Sequence, residues 1–182
     1  MKKTLMTRFW RFGALAVTGL SFAACSDSFP DYSSQALAKK KFFATLVGTN
    51  EVPAVTTTAA GSAELIQEDS VSILYTIVTT APTDSVTMVH IHAGAAGANG
   101  PIMLWFFPND LSRAPGTGGG FAASVNGTVR VSRITKSGAF FVAPFTWDSL
   151  LVRMNAGTAY VNLHTRKNGG GEIRGQVTAS AP

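Results

Sequence analysis

VSILYTIVT, residues 71–79, decides the fold. β-Branched and aromatic residues fill it, and period two puts Val71, Ile73, Tyr75 and Ile77 on one face. A helix would repeat its apolar residues at three and four positions, not at two. Working outward, the next stretch, VTMVHIH at 86–92, reads the same way, and IMLWFF at 102–107 follows it. Upstream, 42–46 opens as a strand and 61–67 alternates small or apolar with polar residues. Downstream, 121–131, 140–142, 159–165 and 172–178 complete the set. Gly, Pro, Asn or Asp bounds most of these segments, the signature of an antiparallel β-sandwich or barrel. One stretch differs: residues 146–154 lack Gly and Pro and end at Asn155-Ala156-Gly157. Thr146 or Asp148 is placed to cap its start and Gly157 its end, so one short helix is expected there. The glycine-rich segment 108–120 is expected to be a long loop; without a following lysine and helix it is no phosphate cradle.

The chain has 182 residues, enough for one globular unit with tails. Only 14% are charged, too few for a coiled coil or an acidic disordered protein. One Cys and three His exclude a disulfide scaffold and a Cys-rich zinc module. The net charge of +5 suggests nucleic acid until the charges are located. Lys2, Lys3, Arg8 and Arg11 precede an apolar run ending Phe22-Ala23-Ala24-Cys25, which is too short to span a membrane as a helix. Residues 1–24 are therefore read as a secretory signal. From Cys25 on, 11 basic residues face 10 acidic ones, with no basic stripe, so nucleic acid is not an expected partner. Residues 25–41, polar and broken by Pro30, read as a flexible tether, and the domain proper as 42–179. The Lys39-Lys40-Lys41 triplet fits a solvated tether end.

Polar chemistry gathers in three places. His90 and His92 share a strand face, with Cβ atoms about 7 Å apart. Tyr160, Asn162 and His164 share another, opposite Val161 and Leu163. Glu172, Arg174 and Gln176 share a third, in a segment that forms a hairpin with 159–165. His164 and Glu172 flank the hairpin loop and are expected near one another. Three readings stand: a solvent-facing polar stripe, a buried hydrogen-bonded network, or a metal site. Three imidazoles suit Zn, Cu or Ni, and a carboxylate could complete a tetrahedral shell. His90, His92 and His164 are the candidate ligands, with Glu51, Asn162, Glu172 and Arg174 as the surrounding polar cluster. No catalytic residue is assigned: no Gly-x-Ser-x-Gly occurs, and Glu51 and Glu172 are the only motif-embedded carboxylates.

Two resemblances follow from these residues. The end of the apolar run resembles a bacterial lipobox, in which Cys25 becomes the lipid-modified, palmitate-bearing N-terminus. With Ser26 after the Cys, this implies an envelope protein at the outer membrane, tethered through its lipid. The domain resembles the CHRD family, found in chordin and in bacterial secreted proteins. Phe43, Leu46, Gly48 and Asn50-Glu51-Val52-Pro53 carry the first part of the match. His90-Ile91-His92-x-Gly94-x-x-Gly97-x-x-Gly100-Pro101-Ile102 carries the second. Tyr160-Val161-Asn162-Leu163-His164-Thr165, running on to Gly171-Glu172-Ile173-Arg174-Gly175-Gln176, carries the third. Gly169 and Ala54 depart from it, where the family commonly has Pro. The resemblance implies an immunoglobulin-like or superoxide-dismutase-like sandwich. It also implies a non-enzymatic envelope module binding a protein or glycan ligand. The alternative is a mononuclear Cu or Zn protein or redox enzyme. His90-x-His92 followed by Gly94 is similar to the copper-ligand strand of copper/zinc superoxide dismutases, but three imidazoles are too few for their dinuclear centre.

Overall fold

The computed structural model describes residues 39–107, 126–139 and 141–180, all within one compact unit. The lipobox and most of the tether, with the loop expected at 108–120, lie outside those residues. The strands are β1 (Lys40–Val47), β2 (Ala60–Gln67), β3 (Ser72–Thr80), β4 (Val86–Ala93), β5 (Ile102–Phe107), β6 (Gly127–Thr135), β7 (Ala159–Thr165), β8 (Ile173–Gln176) and β9 (Thr178–Ala179). One helix, α1 (Trp147–Asn155), precedes β7.

The pairings are antiparallel and run β5-β4-β7-β8-β1-β2-β3-β6, with β9 against β1. The sheet folds on itself as an all-β, sandwich-like layer pair with one short helix. Its two halves are joined along β1, by one ladder pair to β8, Val47 with Arg174, and by two to β9, Phe42 with Ala179 and Phe43 with Thr178. Across the fold, Tyr75 of β3 packs on Phe106 of β5 at 4.6 Å between ring centroids, and its hydroxyl donates to the Phe106 carbonyl at 3.1 Å. Ile73, Tyr75 and Ile77 enter the core with Val89, Ile91, Val161, Leu163 and Ile173. Each such aliphatic side chain contributes about 1.5–3 kcal/mol on burial.

Several boundaries move. β1 begins at Lys40, inside the expected tether. Val71 precedes β3 and is 49% exposed rather than sharing its buried face. β6 runs on to Thr135, four residues past the expected end, with Ser132 to Thr135 paired in unbroken register with Tyr75 to Ser72 of β3. The short strand expected at 140–142 is an isolated bridge from Phe141 to Leu104. The last expected strand splits into β8 and β9, leaving Glu172 outside both.

In α1, Thr146 is the cap: its hydroxyl accepts from the Ser149 N–H, and the Ser149 hydroxyl accepts from the Thr146 N–H. Gly157 ends it at φ 64°, while the Thr158 N–H reaches the Arg153 carbonyl at 2.9 Å. A left-handed residue at that point suits glycine. Trp147, Leu150 and Met154 face inward, spaced three and four residues apart.

Candidate metal centre

β4 and β7 lie side by side, and their register sorts the polar residues into rows. Met88 stands opposite His164, His90 opposite Asn162, and His92 opposite Tyr160. β8 extends two rows, to Arg174 beyond Asn162 and Gln176 beyond Tyr160. On the other side β5 sets Trp105 next to His90. Because residues two apart share a face, this surface is the back of the one that carries Val89, Ile91, Val161 and Leu163 into the core.

That surface is no solvent-facing stripe. His90 is 2%, His92 9% and His164 6% exposed. Two glycine-bearing turns cover it. In the first, the Gly100 carbonyl accepts from His92 Nδ1 at 2.9 Å, and the Gly100 N–H donates to the Tyr160 hydroxyl at 3.1 Å. A Cβ on Gly100 would fall 1.6 Å from the Ala93 carbonyl oxygen, so only glycine brings this carbonyl so close. In the second, the Gly169 carbonyl accepts from His164 Nδ1 at 3.0 Å. The His92 ring stacks on Tyr160 at 4.8 Å, and His90 packs against Trp105 at 4.0 Å.

The tautomers follow from these bonds. Burial pushes His164 down to about 4 and His90 further, the latter with help from His164 and His92. Burial also lowers His92, and the Arg174 charge adds to it. All three rings are therefore neutral at pH 7. A carbonyl only accepts, so His92 and His164 each carry the proton on Nδ1 and the lone pair on Nε2. Both Nε2 atoms, and both nitrogens of His90, are buried without a hydrogen-bond partner. One ligand nitrogen from each ring lies within 4.8 Å of the others. Bonds of 2.0–2.1 Å to one ion need separations of about 3.5 Å, which side-chain rotation of roughly 1 Å supplies. The donor set fits a metal, and the backbone carbonyls behind it orient the rings as such sites require.

The remaining cluster residues divide. Arg174 lies over the Tyr160 ring at 4.7 Å, and its Nη1 donates to Asn99 Oδ1 at 2.8 Å. Its Nε donates to the Asn50 carbonyl and lies 4.0 Å from Glu51 Oε2. Burial raises Glu51 to about 7, against the pull of Arg174. Glu51 and Asn162 meet at Gly171, where a Cβ would sit 2.8 Å from both side chains and φ is 129°. Glu51, Arg174, Tyr160 and Gln176 line a cleft of about 270 Å³. Glu172 turns elsewhere. Its Oε1 accepts from the Thr57 hydroxyl at 2.7 Å and the Thr83 N–H at 3.1 Å. It pairs neither with Arg174 nor across the ladder with His164, since Leu163 faces Ile173 there.

Sequence reasoning gave Trp105 no place beside the histidines; it is buried against His90 on the polar side. It missed Thr57, Thr83 and Asn99, which lie outside every strand and carry no periodic signal. Gly100 stood within the quoted motif, and its carbonyl is the part that matters.

Fold and site together define an all-β protein with a buried imidazole cluster closed by glycine turns. The family model of the CHRD domain matches residues 42–177, and the chain belongs to that family. No curated protein and no solved structure matches the chain.

Proposed function

We propose that this CHRD-domain protein is a lipid-anchored, extracytoplasmic module that holds a metal ion between His90, His92 and His164 and does not turn over a substrate. One observation carries the reading: the buried imidazole nitrogens that lack partners. Each such group left unsatisfied costs about 1–3 kcal/mol, and an ion would satisfy one on each ring at once. Enclosure by Trp105, Tyr160 and two turns favours holding over turnover, since the cleft at Arg174 is lined by Tyr160 and by none of the three histidines. The test is the metal content of the full chain purified without a His-tag. Stoichiometric Zn or Cu in the wild type, lost in His90→Ala with His92→Ala, is the expected result. No bound metal after incubation with either ion would leave a structural cluster and a module for a protein or glycan ligand.

The anchor rests on the order basic, apolar, Ala23-Ala24-Cys25 and on Cys25 being the single cysteine. Cys25→Ala should move the protein to the soluble fraction. Retention on membranes after a high-salt wash would contradict the anchor.

A further inference from the structure

We propose that the ion this site is built for is copper(I), with Met88 as the fourth donor, rather than zinc(II). The inference rests on the metal-holding reading above and adds the charge and softness of the ion.

Charge comes first. Among the described residues the clustered ligands are three histidines, with no carboxylate or thiolate among them. All three donors are neutral. The charge acting on His92 is that of Arg174, whose guanidinium lies over Tyr160, the ring stacked on His92. Glu51 faces Arg174, and Glu172 is engaged by Thr57 and Thr83. Among the described residues, therefore, no carboxylate belongs to the ligand cluster to offset an ion there. The desolvation cost of an ion rises with the square of its charge, so a divalent ion costs roughly four times as much here as a monovalent one.

The donor set points the same way. Met88 is two residues before His90 on β4, so it shares the histidine face, and it stands directly opposite His164 in the register. Opposed residues have Cβ atoms about 4.5–5.5 Å apart, and methionine has three bonds to rotate towards a neighbour. A thioether is a soft donor that selects copper(I) and does little for zinc(II). A closed zinc site takes four nitrogen, thiolate or carboxylate ligands, of which this one has three. Copper(I) accepts three imidazoles with a thioether at the fourth position. Trp105 against His90 adds a polarisable wall and a fluorescent reporter.

The experiment titrates the untagged full chain with copper(I) under anaerobic reducing conditions against a chromophoric copper(I) chelator. Zinc(II) is titrated separately against its own indicator. One copper(I) per chain is expected, held at least about 100-fold tighter than zinc(II), with quenching of Trp emission. Met88→Leu, close in volume, should weaken copper(I) about tenfold or more and leave zinc(II) unchanged. Zinc(II) binding as tightly as copper(I), or Met88→Leu weakening neither ion or both alike, would overturn this inference while the metal-holding reading stands. Binding of neither ion would overturn both.

Discussion

Two buried polar pockets lie a few residues apart in this fold, and they are opposites. Glu172 is fully buried, yet its carboxylate has the Thr57 hydroxyl and the Thr83 N–H, and the Asn168 side-chain amide donates to the Thr83 hydroxyl. His90, His92 and His164 are nearly as buried, yet four of their six nitrogens have no partner. Similar burial with unequal satisfaction separates a structural device from a site awaiting a ligand. Folding tolerates a buried polar group when its bonds are made; one left open costs stability and persists for another reason.

The sharpest way to break the comparison is acid. The folded state holds His164 near 4 against 6.5 ordinarily, and His90 and His92 are lowered as well. These depressed values mean the unfolded chain takes up protons first as pH falls. Stability is therefore full above about 6.5 and falls towards 4, at about 1.4 kcal/mol per pH unit for each imidazole that stays neutral. Glu51 works in the opposite sense. Its raised value of about 7 gives stability that is present below 4.5 and lost as pH rises through 7. Three imidazoles outweigh one carboxyl, so urea midpoints should drop steeply below pH 6. Replacing the three histidines by apolar residues should flatten that slope; an unchanged slope would place the titrating groups elsewhere.

Next in size is removal of the satisfied carboxylate. Glu172→Ala leaves the Thr57 hydroxyl and the Thr83 N–H without an acceptor and should destabilise the fold by about 3 kcal/mol. Thr57→Val removes one donor and should cost about 1–2 kcal/mol, read by the same denaturation curves.

The smallest change tests the opposite pocket. His90→Leu deletes two unpartnered nitrogens beside Trp105. Without metal it should be neutral or stabilising by up to about 1 kcal/mol, while metal binding is lost. A loss comparable to that of Glu172→Ala would mean the imidazole has a partner after all, and the contrast would collapse.

Much of this was legible from period two. β7 covers the segment expected for it, and the shared faces of His90 with His92 and of Tyr160 with His164 were set by alternation. Burial of that face was not legible, because the turns that cover it act through the backbone carbonyls of Gly100 and Gly169. Glu172 was misplaced beside Arg174 because alternation was extended one residue past the start of β8, where the chain is still in the turn. β6 was cut short because Ser132 and Arg133 belong to a half-exposed strand paired only with β3, and no buried alternation marks them.

The central claim is that buried imidazoles present free lone pairs to an ion. Long-range ¹H–¹⁵N NMR of the histidine rings at pH 7 reads it directly. His92 and His164 should show protonated Nδ1 and bare Nε2, and those Nε2 resonances should shift on addition of copper(I) or its redox-inert stand-in silver(I). Protonated Nε2 in either ring, or Nε2 resonances that do not move when the ion is added, would contradict the account.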